Sequence, residues 1–442
     1  MTFKEWKKWY KSLPGAKKWF VVLILIRPLV DNFWDLKHIS AFVSPLYYVG
    51  ILTPFFIFRS LRTRSLGPKI KNQTDSLMSL FSFFTIISCI AIMTLEPGVS
   101  TLGDVLKMIT PVLLYIYLRR FIQSESDLTG VLQAFMYACI FPGIMLVYEN
   151  IFGPIAVQYL TEGRGGGTRY RGGYADVMSY AIYMVGFWMI ACYQYIKGVY
   201  EKKVFTYKNY GFMFFAVAIS LLMLISIKHV STWSVFLVTS ILFFRYNLNS
   251  LKGLLVVGVI LLALLPFYGQ VIYQKQILPL IQKEINVADG VTDESAAFNG
   301  RVGRWERYFD SWGKEGILTQ LLGVPFSTLD NRTIFIMIGN GMHNDYVRLI
   351  FFCGLIGTIS YLLWYFSLFK YIFKLKPPEQ FLFLSALAAL FLHSMSTLPL
   401  LYPLYMYLLL PIICFSMLKQ KKKLTKVQAP LYSIDKLESK VA

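Results

Sequence analysis

Three stretches of the chain carry side chains that could act together on an anionic substrate. The first is EGRGGGTRYRGGY, which sets Arg164, Arg169 and Arg171 among glycines. Glycines leave backbone N–H groups accessible, and a guanidinium is a planar fork that matches two phosphate oxygens. The run is not a P-loop, because the lysine and the preceding strand of that motif are missing. The competing reading is a flexible linker whose arginines face water. The second stretch is FNGRVGRWERYFDSW, with Arg301, Arg304 and Arg307 at spacings of three. It reads as a helix over 299–312, with the arginines near one face and Trp305, Tyr308, Phe309 and Trp312 making the rest amphipathic. Such a helix could lie on a membrane surface or roof a cavity. It could equally be a solvated face with Glu306 and Asp310 as local ion partners. The third stretch is NGMHNDYVRLIFFCGLIG, where His343 stands at the start of an apolar run. A histidine at that boundary can accept a proton near neutral pH. His38, His229 and His393 also map to helix ends on the same side. Position therefore does not single out His343, and each of the four has a structural alternative.

Other chemistries find little support. The four histidines are far apart in sequence and form no HExxH or HxxxH pattern, so no metal site is expected. All five cysteines sit inside apolar runs without CxxC, which argues against a disulfide framework. Ionisable residues within apolar segments are costly and therefore functional candidates: Arg27, Asp31, Asp104, Lys107, Lys228 and Arg348. For Arg27 the plain alternative is an ion pair with Asp31, one helical turn along.

The elements that must position these groups are membrane helices. The chain is 56% hydrophobic and only 15% charged, against roughly 25% charged in soluble domains. Several runs approach the roughly 20 apolar residues that span a bilayer, and they are continuous rather than alternating. An all-α integral membrane protein of about twelve spans follows, at 19–36, 40–58, 76–95, 103–118, 128–150, 174–196, 209–227, 232–246, 253–272, 344–370, 379–397 and 399–418. Residues 1–418 form a single polytopic domain that includes a long outer loop at 273–343 with short amphipathic helices. A basic tail, 419–442, is expected to be a flexible cytoplasmic end. The start of the chain resembles a signal peptide, but Arg27 and Asp31 interrupt the run and no cleavage site follows, so it reads as an uncleaved first helix. The net charge of +20 is a matter of placement rather than of nucleic-acid binding, and no nucleic-acid partner is expected. With the N-terminus inside, about two thirds of the 44 lysines and arginines fall on the cytoplasmic side. Both termini are then cytoplasmic. The two arginine-rich stretches are the exceptions on the outer side.

The order of these motifs resembles the bacterial O-antigen ligase and O-antigen polymerase superfamily. The resemblance is carried by Arg171-Gly172, by Gly300-Arg301 with Trp305, by Gly323-Val324-Pro325, and by His343-Asn344-Asp345-Tyr346 followed by Gly354 and Gly357. It covers residues 165–360 in motifs and the whole chain in helix number. One departure stands out. Where members often carry Ser-x-Ser-Arg-Gly, this chain has His229-Val230-Ser231-Thr232-Trp233, so Lys228 would have to replace the arginine. The resemblance implies an inverting, metal-independent glycosyltransferase with no cofactor, at the outer face of the bacterial inner membrane. Its donor would be a glycan on undecaprenyl diphosphate, and its acceptor a glycan hydroxyl or a lipid A-core sugar. It further implies that Arg171 and Arg301 clamp the diphosphate, with Arg304, Arg169 and Arg164 as secondary ligands, and that His343 takes the acceptor proton. Polymerase, ligase and protein O-glycosylation remain open. The competing class is a lipid-linked oligosaccharide flippase or a transporter without chemistry.

Overall fold

The structure is a computed structural model that describes residues 1–69, 71–159, 168–201, 207–247, 273–274, 278–290, 301–339 and 342–428. It is 84% helical. The first part of the chain holds α1 (Phe3–Ser12), α2 (Gly15–Asn32), α3 (Pro45–Leu61), α4 (Gln73–Leu95), α5 (Val99–Phe121), α6 (Glu125–Ala138) and α7 (Ile140–Phe152). A two-stranded antiparallel hairpin, β1 (Val157–Tyr159) with β2 (Thr168–Tyr170), comes next. Three helices follow: α8 (Val177–Tyr200), α9 (Tyr207–Ile227) and α10 (Val230–Asn247). Short helices α11 (Leu278–Ala288), α12 (Val302–Gly313), α13 (Ile317–Leu322) and α14 (Asn331–Ile338) precede α15 (Asp345–Ser367), α16 (Pro377–Ser396) and α17 (Pro403–Gln428).

Among the described residues, seven helices are long and apolar enough to cross a membrane, and Pro45–Leu61 and Pro403–Leu418 are shorter apolar helices. The expected span at 253–272 lies outside the described residues. The span expected at 128–150 is found as Glu125–Phe152, with a single turn residue, Cys139, between α6 and α7. Pro142 is the cause: it has no N–H for the Ala138 carbonyl, and its ring crowds that carbonyl. The expected flexible tail begins as helix, because α17 continues to Gln428 through a run of good helix formers.

The centre of the bundle is α8. Its span has a mean hydropathy of 1.2 and is 89% buried, whereas Asn209–Ile227 has 2.3 and is 44% buried. The less apolar helix sits inside because its tyrosines and glycines pack against protein, and the most apolar one turns its surplus outward. Helices α9, α10 and α16 pack around α8. The basic start of the chain is also ordered. α1 opens with a capping box between Thr2 and Glu5 and inserts Trp6, whose Nε1 donates to the Gly130 carbonyl at 3.0 Å.

The segment expected as a loop is tied to the bundle by two glycines. Gly354 breaks α15 with φ +66, and Gly323 ends α13 with φ +84. A Cβ on Gly354 would collide with the Leu321 carbonyl oxygen, and one on Gly323 would stand 2.5 Å from the Phe352 oxygen. The break frees backbone groups, and Ser88 Oγ satisfies the Phe352 carbonyl at 2.6 Å. Gly354→Ala should therefore lower the melting midpoint of purified protein and expose residues 301–339 to protease. Gly354 has φ +66 with ψ −178, a region essentially confined to glycine, where a side-chain-bearing residue costs on the order of 1–3 kcal/mol. Gly211→Ala, where a Cβ meets nothing within 4 Å, should do neither. Equal behaviour of the two variants would remove the interlock.

Candidate functional site

The structure presents His343 on a rigid frame. Met342 before it is fully buried, and the Trp305 indole donates to the Met342 carbonyl at 2.9 Å. Asn344 after it caps α15, its Oδ1 accepting from the Tyr346 and Val347 amides. Asp345 is buried and tied three ways: to the Arg348 guanidinium at 3.0 Å, to the Leu400 amide at 2.9 Å, and to Ser394 Oγ at 3.5 Å. Between these anchors His343 is exposed, with φ +49. Positive φ is uncommon outside glycine, although histidine adopts it more readily than most residues, as asparagine and aspartate do, and here the neighbours hold it.

The arginine helix runs over Val302–Gly313, and Arg301 stands at its N-terminal boundary. Its aromatic side packs down, with Tyr308, Phe309 and Trp312 ringed around Phe351 of α15. Arg301 Nη1 donates to the Ser396 carbonyl at 3.0 Å, one of the orphan acceptors at the C-terminus of α16. Arg304 is half-buried and Arg307 is exposed.

The glycine-rich run is a built turn where it is described. Arg171 extends the hairpin through its amide to the Ala156 carbonyl at 3.0 Å. Gly172 (φ +58) and Gly173 (φ +79) then reverse the chain. Both Glu149 oxygens accept from the Gly172 amide at 3.1 Å, Asn32 Nδ2 donates to the Gly172 carbonyl, and the Trp34 indole donates to the Gly173 carbonyl. A Cβ on Gly172 would sit 2.8 Å from the Tyr180 ring, so the turn requires glycine. Arg171 spends Nη1 on the Ala175 carbonyl at 2.9 Å and lies 5.7 Å from the Trp34 ring centroid. Arg164 lies outside the described residues.

These pieces converge on His229, between α9 and α10. Burial lowers its pKa well below the ordinary histidine value, and the charges of Arg169, His393, Arg301 and His343 add to the effect. Arg169, Arg301 and His343 are thus neighbours in one electrostatic environment. Arg171 makes local contacts instead.

The last turn of α16 joins the parts, which the sequence reading did not foresee. His393 Nδ1 meets Ser231 Oγ at 3.2 Å, Ser394 meets Asp345, and the Ser396 carbonyl holds Arg301. The available signal was the polar run His393-Ser394-x-Ser396-Thr397 closing an otherwise apolar helix.

Arg27, Asp31, Asp104, Lys107 and Arg348, five of the six candidate charges in apolar segments, have ordinary partners. Arg27 Nε pairs with Asp31 at 2.6 Å, Arg348 with Asp345, and Lys107 with Asp104 at 2.7 Å. Among the described residues, no group of three or more His, Cys, Asp or Glu side chains could hold a metal ion.

Glu315 closes the loop between α12 and α13. Burial pushes its pKa up, but hydrogen bonds from the Thr328 amide and hydroxyl, both at 2.8 Å, outweigh this and leave it below the usual value. A depressed carboxyl stabilises the fold above its unfolded pKa of about 4.3 and loses that contribution as pH falls through the folded value. Glu315→Gln should therefore increase protease sensitivity of residues 301–339 at pH 7, and the difference from the parent should vanish in acid. A gap that widens in acid would reverse the assignment.

Compared with known proteins, the chain matches no family model and no curated sequence.

Proposed function

We propose that this chain is an inverting, metal-independent glycosyltransferase at the outer face of a bacterial inner membrane, with both termini cytoplasmic. It moves a glycan from undecaprenyl diphosphate to an acceptor hydroxyl, as a polymerase or a ligase. The observation that carries this reading is that one turn at the end of α16 holds Arg301 through the Ser396 carbonyl, His229 through His393 and Ser231, and Asp345, two residues from the exposed His343, through Ser394. A lipid diphosphate needs a clamp at this level, because its tail stays in the bilayer while its sugar meets water.

The chemistry follows from those groups. The acceptor oxygen attacks the anomeric carbon as the bond from that carbon to the phosphate oxygen breaks. The diphosphate leaves with the electron pair, and fixed guanidinium groups stabilise the charge that develops on it. The acceptor proton passes to His343, which typically contributes about 10²–10⁴-fold as a base. Arg301 and Arg169 are the first clamp candidates, Arg304 and Arg171 flank them, and Arg164 belongs to the same glycine-rich run.

A transporter would draw on the buried charges, and Arg27, Asp31, Arg348 and Asp345 are already committed to each other as ion pairs. The deciding experiment is reconstitution in vesicles with undecaprenyl-diphosphate oligosaccharide and a gel readout. A ladder identifies a polymerase, and a single shifted lipid A-core band identifies a ligase. Lipid crossing the bilayer without product would replace the proposal with a flippase. Loss of product in EDTA would overturn the metal-free mechanism.

A further inference from the structure

We infer that His229 is a substrate-contacting residue that reads a hydroxyl of the sugar next to the diphosphate. The inference rests on the glycosyl-donor reading above and extends it to a residue at which this chain departs from the pattern it resembles.

His229 is built in rather than left at a loop tip. Lys228 before it adopts φ +49, the second residue other than glycine with positive φ among the described residues, and His343 is the other. After it, the Trp233 amide donates to the His229 carbonyl at 3.1 Å, and the Trp233 indole returns to the Leu224 carbonyl at 3.0 Å. The imidazole Nδ1 lies 2.9 Å from Thr232 Oγ1 and 3.0 Å from Ser231 Oγ. Ser231 Oγ also meets Nδ1 of His393 at 3.2 Å. His393 is completely buried, and its Nε2 has no hydrogen-bond partner among the described residues. A buried polar atom of that kind is costly, and its retention calls for an explanation. Here the second histidine fixes Ser231, and Ser231 with Thr232 fixes the first.

With Nδ1 committed to two hydroxyls, Nε2 is the His229 atom left for a ligand. Its charge state selects the ligand class. The groups that face it are Arg169, Arg301, His343 and His393, and together with burial they favour the neutral ring. A neutral imidazole adds no charge to a phosphate clamp. With Nδ1 taken, its Nε2 offers a single donor or acceptor, set by the tautomer, in a fixed orientation, which suits a hydroxyl. In a donor whose anionic part is held by the neighbouring arginines, the adjoining hydroxyls are those of the first sugar.

The test measures binding of two probes to the purified full-length chain in nanodiscs. One probe is undecaprenyl-diphosphate oligosaccharide and the other is undecaprenyl diphosphate without sugar. His229→Phe keeps the bulk and removes the hydrogen bond. It should weaken the glycan-bearing lipid about 3- to 10-fold, the scale of one hydrogen bond, and leave the bare lipid unchanged. Ser231→Ala should shift the same ratio less, and His229→Asn should restore part of it. Arg301→Ala should weaken both lipids. Equal weakening of both lipids by His229→Phe would make His229 part of the clamp or of the fold, and no weakening of either would make it a bystander; each overturns the inference. A parent protein that binds neither lipid would instead remove the donor reading, and the inference with it.

Discussion

His343→Asn is expected to insert and fold like the parent and to lose about 10²-fold or more of its transfer rate. Asparagine is the informative substitution because of the backbone. Residue 343 sits at φ +49, a conformation that asparagine tolerates well and alanine poorly. The anchors on either side do not depend on the imidazole: Met342 is held by Trp305, Asn344 caps α15, and Asp345 binds Arg348 and the Leu400 amide. A loss of rate with intact folding therefore reports the missing base. His343→Ala should lose at least as much rate, with some added instability. Retention of the rate to within about tenfold in the asparagine variant would end the assignment of His343 as base.

Arg301→Lys is expected to lose much of the activity although it keeps the charge. Arg301 donates Nη1 to the Ser396 carbonyl, and that bond fixes the orientation of its guanidinium plane at the end of α16. Lysine has a single ammonium on a flexible stem and cannot hold the helix end and a phosphate in the same geometry. Removing one preorganised donor to a developing anion typically costs about 10²–10³-fold, and Arg301→Ala should fall in that range. The loss should appear in kcat, because the charge on the diphosphate grows only as the bond breaks. A lysine variant with the full parental rate would leave Arg301 as no more than a cap on α16.

How much of this was legible in the sequence depended on the range of the interaction. Apolar run length set most of the helices, because crossing a bilayer is a local property of about 20 residues. Arg27 with Asp31 was equally readable, since an i,i+4 pair is visible in one dimension. The Thr2-x-x-Glu5 capping box that opens α1 is local in the same way, because its two hydrogen bonds span three residues. The candidate site was legible only in part. Arg301 and His343 stood out by type, but nothing in their spacing told whether Arg169 or Arg171 shares the environment of His229. That choice is made by the turn at Gly172-Gly173, whose partners Glu149, Asn32 and Trp34 come from two distant helix ends. His393 and Ser231 are 162 residues apart, and no periodicity links them.

The last turn of α16 carries a consequence for engineering. Within four residues it contacts Arg301 from one segment, Ser231 from a second and Asp345 from a third. It is the common datum from which three separately encoded parts are aligned. Grafting residues 301–343 of this chain onto a relative would thus import the arginine and the histidine without their alignment. A working chimera has to carry His393–Thr397 with them, and specificity in such proteins would be exchanged in non-contiguous blocks rather than loop by loop.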